Sequence, residues 1–181
     1  MKAVTDTGPL IWIERIGYGP ELHRVYSTVW TPPSVEAELQ DNWKNTAVVW
    51  KGVTPYVFGS ERERKRFDRI VNRWIRKEEY SEDERADVET IVLCREFAKA
   101  DDALYANQEA EQTFGNYGDW KYGKPSYGSL KDLYQIHERA IENGVWTPRD
   151  AEKFIVALID ADYRTPFLKK FLGKFRKKNK L

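Results

Sequence analysis

Asp6 is the residue whose surroundings most invite chemistry. Ala3 and Val4 lead into it and a second apolar run, Leu10 to Ile13, follows almost at once, so a carboxylate stands where a short strand hands over to a helix. In a parallel α/β sheet the C-terminal ends of the strands share one edge, and ligands collect in the crevice outside it. An acid in that place presents its carboxylate to such a ligand; its other reading is a cap for the helix starting near Thr7, a common duty of Asp. Carboxylates converging at one edge repel each other by ~1–4 kcal/mol per pair at about 4 Å, depending on the effective dielectric. Cations or protons must neutralise them, and hard oxygen ligands with retained waters suit Mg²⁺ or Mn²⁺. A cation held by such a cluster can lower the pKa of a bound water and so supply hydroxide.

The elements that must position these groups are legible as an alternation. Strands are expected at residues 2–5, 28–30, 47–53 and 102–106, from short β-branched and aromatic runs. Helical spacing of Leu10, Ile11, Ile13 and Ile16 ends at Gly17, and a short helix is expected from Pro20 to Tyr26. Ser34 is placed to cap a helix through "VEAELQDNW", and "SEDE" at 81–84 has capping-box spacing ahead of "RADVETIVLCREFAKA". Phe67, Ile70, Val71 and Trp74 form one apolar stripe on an otherwise charged surface helix. "NQEAEQTF" reads as helix, "GNYGDWKYGKPSYG" as loop and "SLKDLYQIHERAIENG" as a helix from Ser129 to Gly144, with a further helix capped by Thr147 ahead of Pro148. Strand–helix alternation predicts an α/β fold, a mostly parallel central sheet of four or five strands with helices on both faces.

With 181 residues, 41% apolar and 33% charged, the chain suits one domain with a wet surface. We expect a body over residues 1–162 and a basic helical C-terminal extension over 163–181. That extension holds eight Lys or Arg and no acid, so the formal charge of +1 less these eight leaves −7 on the body. Such a tail is a handle for a polyanion or an acidic partner. No window resembles a membrane span or a secretory h-region, so the expectation is a cytoplasmic protein that does not engage the membrane. Cys94, the single cysteine, reads as a buried helical thiol, and His23 and His137 are too few for a zinc site.

At this point the sequence resembles PIN-domain nucleases. "VTDTGPLI" is similar to the family's opening strand and Asp, "TPPSVEAEL" to its Pro-started helix with a Glu before Leu, here Glu38. "ADVETIVLC" resembles the acidic pair opening a helix, here Asp87 and Glu89, and "DALYANQEAE" the strand ending in the last acid. "YGSLKDLYQIHERAIENG" resembles the Gly-Thr-Leu helix of one prokaryotic branch of predicted PIN proteins. The pieces follow family order. Two residues depart from it: Gly8 stands where the family often has Ser or Asn, and Asn107 where it has the last Asp.

The resemblance implies a Mg²⁺- or Mn²⁺-dependent ribonuclease acting on single-stranded RNA. Asp6, Glu38 and Glu89 would be catalytic; Asp6 and Glu89 would be the main metal ligands and Glu38 a ligand directly or through water, with Asp87 as a substitute and Asn107 offering a neutral carbonyl oxygen. It also implies the toxin of a toxin–antitoxin pair, with an antitoxin protein as partner; a homodimer stays open. The alternative is a PIN-like fold with impaired catalysis, Asn107 being its evidence, that binds RNA or protein.

Two further segments bear on binding. "GDWKYGKP" nearly spells a phosphate-binding loop, but Pro125 replaces the hydroxyl and no buried strand precedes it. In the same stretch Trp120 and Tyr122 alternate with Lys121 and Lys124, a composition that can stack unpaired bases and hold phosphates, or else fold inward over the core. The C-terminal Phe167, Leu168, Phe171, Leu172 and Phe175 lie at helical spacing opposite the lysines, which predicts docking on the body or on a partner.

Overall fold

The computed structural model describes residues 1–42, 52–80, 84–106 and 129–181. Five strands, β1 (Lys2–Thr5), β2 (Thr28–Thr31), β3 (Val53–Pro55), β4 (Asp102–Tyr105) and β5 (Ser129–Asp132), form one sheet in the order β3-β2-β1-β4-β5. Every pairing is parallel, with Val4 opposite both Trp30 and Ala103, and Tyr105 opposite Asp132. The period of two sends alternate side chains to opposite faces. Ala3, Val29 and Leu104 therefore join one apolar cluster and Val4 and Ala103 the other.

Helices cover both faces, as the alternation predicts. On the first face α1 (Thr7–Arg15), α2 (Gly19–Val25), α6 (Ile136–Glu142), α7 (Pro148–Asp160) and α8 (Thr165–Asn179) bury Leu10, Ile13, Leu22, Phe154 and Leu168. On the second, α4 (Glu61–Glu78) contributes Phe67, Val71 and Trp74, the stripe expected of it, against Val88, Ile91 and Val92 of α5 (Arg85–Val92). α5 runs on into a π-helical turn, Leu93–Phe97, that buries Cys94. Burial pushes its thiol pKa up to about 12, so Cys94 is an inert thiol within a helix, as its sequence context suggests.

Two expectations are corrected and a third lies mostly outside the described residues. The segment from Ser129 is not helical at its start: Ser129–Asp132 is the edge strand β5, a 3₁₀ turn covers Leu133–Gln135, and α6 begins only at Ile136. The third strand lies at Val53–Pro55, at the end of the expected 47–53 run, most of which falls outside the described residues. Ser34 sits inside α3 (Pro33–Asn42), not in front of it. The expected capping box at 81–84, the helix at 107–114 and the loop after it also fall outside the described residues.

α7 starts as anticipated, with Thr147 and Asp150 forming a reciprocal capping box ahead of Pro148. α8 docks on the body through Leu168, Leu172 and Phe175, all buried in the first cluster. Among the described residues no helix is long and apolar enough to cross a membrane.

Candidate functional site

The strand order reverses between β1 and β4: the chain moves outward from β1 to β2 and β3, then returns past β1 to β4. The crevice outside the carboxyl ends of strands at such a switch point is where open α/β sheets bind ligands. Asp6 follows the last residue of β1 at that point, and its backbone N–H donates to Leu104 O of β4 at 3.2 Å. It is also the N-cap of α1, its Oδ2 accepting from the Gly8 N–H at 3.5 Å, a long and weak bond. The cap weighed for this acid is therefore present, and it lies at the sheet edge where the other reading places a ligand.

Gly8 lets the chain after β4 come close. A Cβ there would meet the Cβ of Ala106, at the end of β4, at 3.1 Å, tighter than ordinary contact. A side chain at position 8 would need Ala106 to shift by a few tenths of an ångström.

Glu38, on α3, reaches the same place: its Oε2 accepts a 2.5 Å hydrogen bond from the Thr7 hydroxyl, the residue after Asp6. Asp6 is 8% exposed. Burial raises its pKa to about 6, with the Glu38 charge adding to that rise and the Thr7 and Gly8 N–H groups opposing it. Among the described residues no Lys or Arg forms an ion pair with either carboxylate. The result is a buried acid beside a second acid, with no counter-cation among the described residues.

The acidic pair of α5 is placed differently. Glu89 is buried, and its Oε2 accepts from both the N–H (3.0 Å) and the hydroxyl (2.8 Å) of Ser34, while Arg85 Nη1 lies 3.6 Å from Oε1. Ser34 is in the first turn of α3, where N–H groups lack intrahelical partners, so a carboxylate from α5 satisfies what a local cap would. Glu38 follows Ser34 by four residues on the same face, about 6 Å along the axis. Glu89 and Glu38 are therefore both tied to α3 but one turn apart. Asp87 is buried near the start of α5. Among the described residues no three His, Cys, Asp or Glu side chains come together closely enough to hold a metal ion.

Asn107, Trp120, Lys121, Tyr122 and Lys124 lie outside the described residues. Asn107 is next in sequence to Ala106, the residue against which Gly8 packs.

Sequence reasoning missed Asp132. It ends β5 as Asp6 follows β1, buried on the same sheet edge, and the motif "SLKD" matches "KAVT" plus Asp6 in form. Its charge is answered locally: Oδ1 accepts from Tyr163 Oη at 2.8 Å and the Tyr134 N–H at 3.3 Å, and Oδ2 accepts from Arg164 Nη1. Asp102, by contrast, opens β4 at the opposite end from the crevice, held by two hydrogen bonds from Arg139 and one from Tyr26 Oη.

The donor set at Asp6 and Glu38 fits a hard divalent cation of the Mg²⁺ kind, which is commonly held by one or two carboxylates with waters and substrate phosphate completing the shell. The observation behind that fit is the pair itself, buried and without a cationic partner among the described residues. Compared with known proteins, the chain matches no family model, no curated protein and no solved structure.

Proposed function

We propose that this protein is a PIN-type, divalent-metal-dependent ribonuclease acting on single-stranded RNA. The observation that carries the reading is the Asp6–Glu38 carboxylate pair at the switch point of a parallel sheet, with the Asp6 pKa raised to about 6. Asp6 and Glu38 would hold a Mg²⁺ or Mn²⁺ ion, whose chemistry there is to polarise a phosphodiester and supply hydroxide near neutral pH. Thr7 fixes the Glu38 carboxylate through its hydroxyl, and Gly8 lets the end of β4 close against the site. Glu89, anchored on Ser34, sets the angle of α3 and with it the position of Glu38.

The test is cleavage of unstructured RNA with and without Mg²⁺ or Mn²⁺, beside Asp6→Asn and Glu38→Gln. Metal-dependent cleavage lost in both variants is the expected result. Cleavage indifferent to metal or to these substitutions would discard the reading.

A second reading has its own support. Asn107 replaces an acid of the resembled family, and Glu89 is committed to Ser34 and Arg85. A PIN-like fold that binds RNA without cutting it would follow, shown by RNA binding with no cleavage under any metal. A blocked toxin would be recognised by a small protein that co-purifies and whose removal releases activity.

A further inference from the structure

Two strands along the same sheet edge from Asp6 lies a cavity of about 550 Å³, lined by Tyr105, Asp132, Tyr134, Gln135, Arg164 and Phe167, with Pro166 beside them. Its size falls in the usual range for small-ligand sites, ~300–1,000 Å³. Adjacent strands are ~4.8 Å apart, so the end of β5 is roughly 10 Å from that of β1.

The polar floor is electrically settled. Asp132 is neutralised by Arg164 and fully engaged by Tyr163 Oη and the Tyr134 N–H, so it does not call for a cation of its own. What it leaves are donors. Gln135 holds its carbonyl on the Asp132 N–H at 3.0 Å, which fixes the amide plane, and its two N–H groups have no partner among the described residues. Arg164 is spent on Asp132 and its Nη2 is shut off from solvent, so the amide of Gln135 is what faces a ligand. The walls are aromatic: Phe167 is 49% exposed, and Tyr134 meets it edge-on at 5.3 Å between ring centroids. From Phe167 onward α8 carries Lys169, Lys170, Lys174, Lys177 and Lys178, all exposed and forming no ion pair among the described residues.

Aromatic walls, fixed amide donors and the exposed lysines that follow Phe167 on α8 match the chemistry of one ligand, an unstacked base on a phosphate backbone. Base–aromatic stacking tolerates any base, amide donors meet the carbonyl and ring-nitrogen acceptors of base edges, and lysines track phosphates. We propose that this cavity takes an unpaired RNA base flanking the phosphodiester held at Asp6 and Glu38, with the strand continuing along the lysines of α8. The proposal deepens the ribonuclease reading and rests on it for the identity of the strand, but the cavity is tested separately from cleavage.

The experiment is fluorescence anisotropy of a labelled, unstructured oligoribonucleotide with the full chain in EDTA, where metal-dependent cutting is silent. Phe167→Ala should weaken binding roughly five- to hundredfold, the range of one lost stack. Phe167→Trp should retain it. Gln135→Glu keeps the carbonyl-type acceptor for the Asp132 N–H, replaces the donors with a charge, and should also weaken binding. The gap between wild type and Phe167→Ala should vanish on an abasic oligomer of the same length. Lys169→Gln with Lys170→Gln should lower affinity for both oligomers and flatten the salt dependence. Unchanged affinity in Phe167→Ala and Gln135→Glu, an equal loss on the abasic strand, or no binding by the wild type would each overturn the proposal. Loss of cleavage in Asp6→Asn with base-dependent binding intact separates this outcome from failure of the nuclease reading.

Discussion

Thr7 Oγ1 donates a 2.5 Å hydrogen bond to Glu38 Oε2, joining the first turn of α1 to α3 directly beside the carboxylate of Asp6. That bond holds a second negative group next to a buried first one, and four measurable consequences follow from this arrangement and from the bonds that fix its supports.

Asp6 should make the protein less stable as pH rises. Its folded pKa, about 6, lies above the ordinary carboxylate value, so the folded state holds the proton over that interval while the unfolded state has released it. Stability therefore falls from pH 4 to pH 6 and is level above, by roughly 2–3 kcal/mol in total. Asp6→Asn, neutral and still able to cap α1, should be more stable than wild type at pH 7 by about that amount, with the gap closing below pH 4. Urea unfolding at pH 3.5, 5 and 7 checks it; a gap independent of pH would mean that Asp6 is not perturbed.

Divalent cations should reverse that penalty. Mn²⁺ or Mg²⁺ at pH 7.5 should raise the thermal midpoint, by an amount equivalent to about 2.7 kcal/mol when present at a hundred times its dissociation constant. The rise should shrink at pH 5, where protons compete for Asp6, and disappear in Asp6→Asn and Glu38→Gln. A metal-induced shift of equal size in both variants would place the ion elsewhere.

Ser34→Ala should cost about 1–3 kcal/mol, because it leaves the buried Glu89 carboxylate with one hydrogen bond fewer. If Glu89 positions α3, the same variant should lower metal affinity at Asp6 and Glu38 without touching either. Chemical denaturation and calorimetric titration with Mn²⁺ read the two effects separately.

Arg139→Met should destabilise by roughly 3–5 kcal/mol, since Asp102 is fully buried and would lose the guanidinium that donates to both of its oxygens. Asp102 lies at the opposite end of the sheet from Asp6, so metal affinity should not change. A large change in metal affinity would reveal coupling along β4 and would contradict a purely structural role for this pair.

The relation of these residues to the sequence is uneven, for reasons that can be named. α1 was legible because Leu10, Ile13 and Gly17 carry its period and its stop locally, and α7 because Thr147, Pro148 and Asp150 carry its start. The helix expected from Ser129 failed at its first turn. Leu130, Leu133 and Ile136 recur at helical spacing, but residues 129–132 are drawn into a ladder with Asp102–Tyr105. That pairing spans 27 positions of sequence, and no local period records it. Ser34 carried a cap's composition, yet its donors meet Glu89, which is 55 residues away.

By itself the sequence determined the layers: apolar strands, amphipathic helices, the acid after β1 and the basic face of α8, since each rests on the spacing of neighbours along the chain. Only the tertiary structure decided which acids share a place. Asp6 and Glu38 meet through Thr7, Glu89 is claimed by Ser34, and Asp132 is neutralised by Arg164. Carboxylate chemistry depends on distances of a few ångströms between distant segments, and those distances exist only once the sheet order has set which strand ends stand side by side.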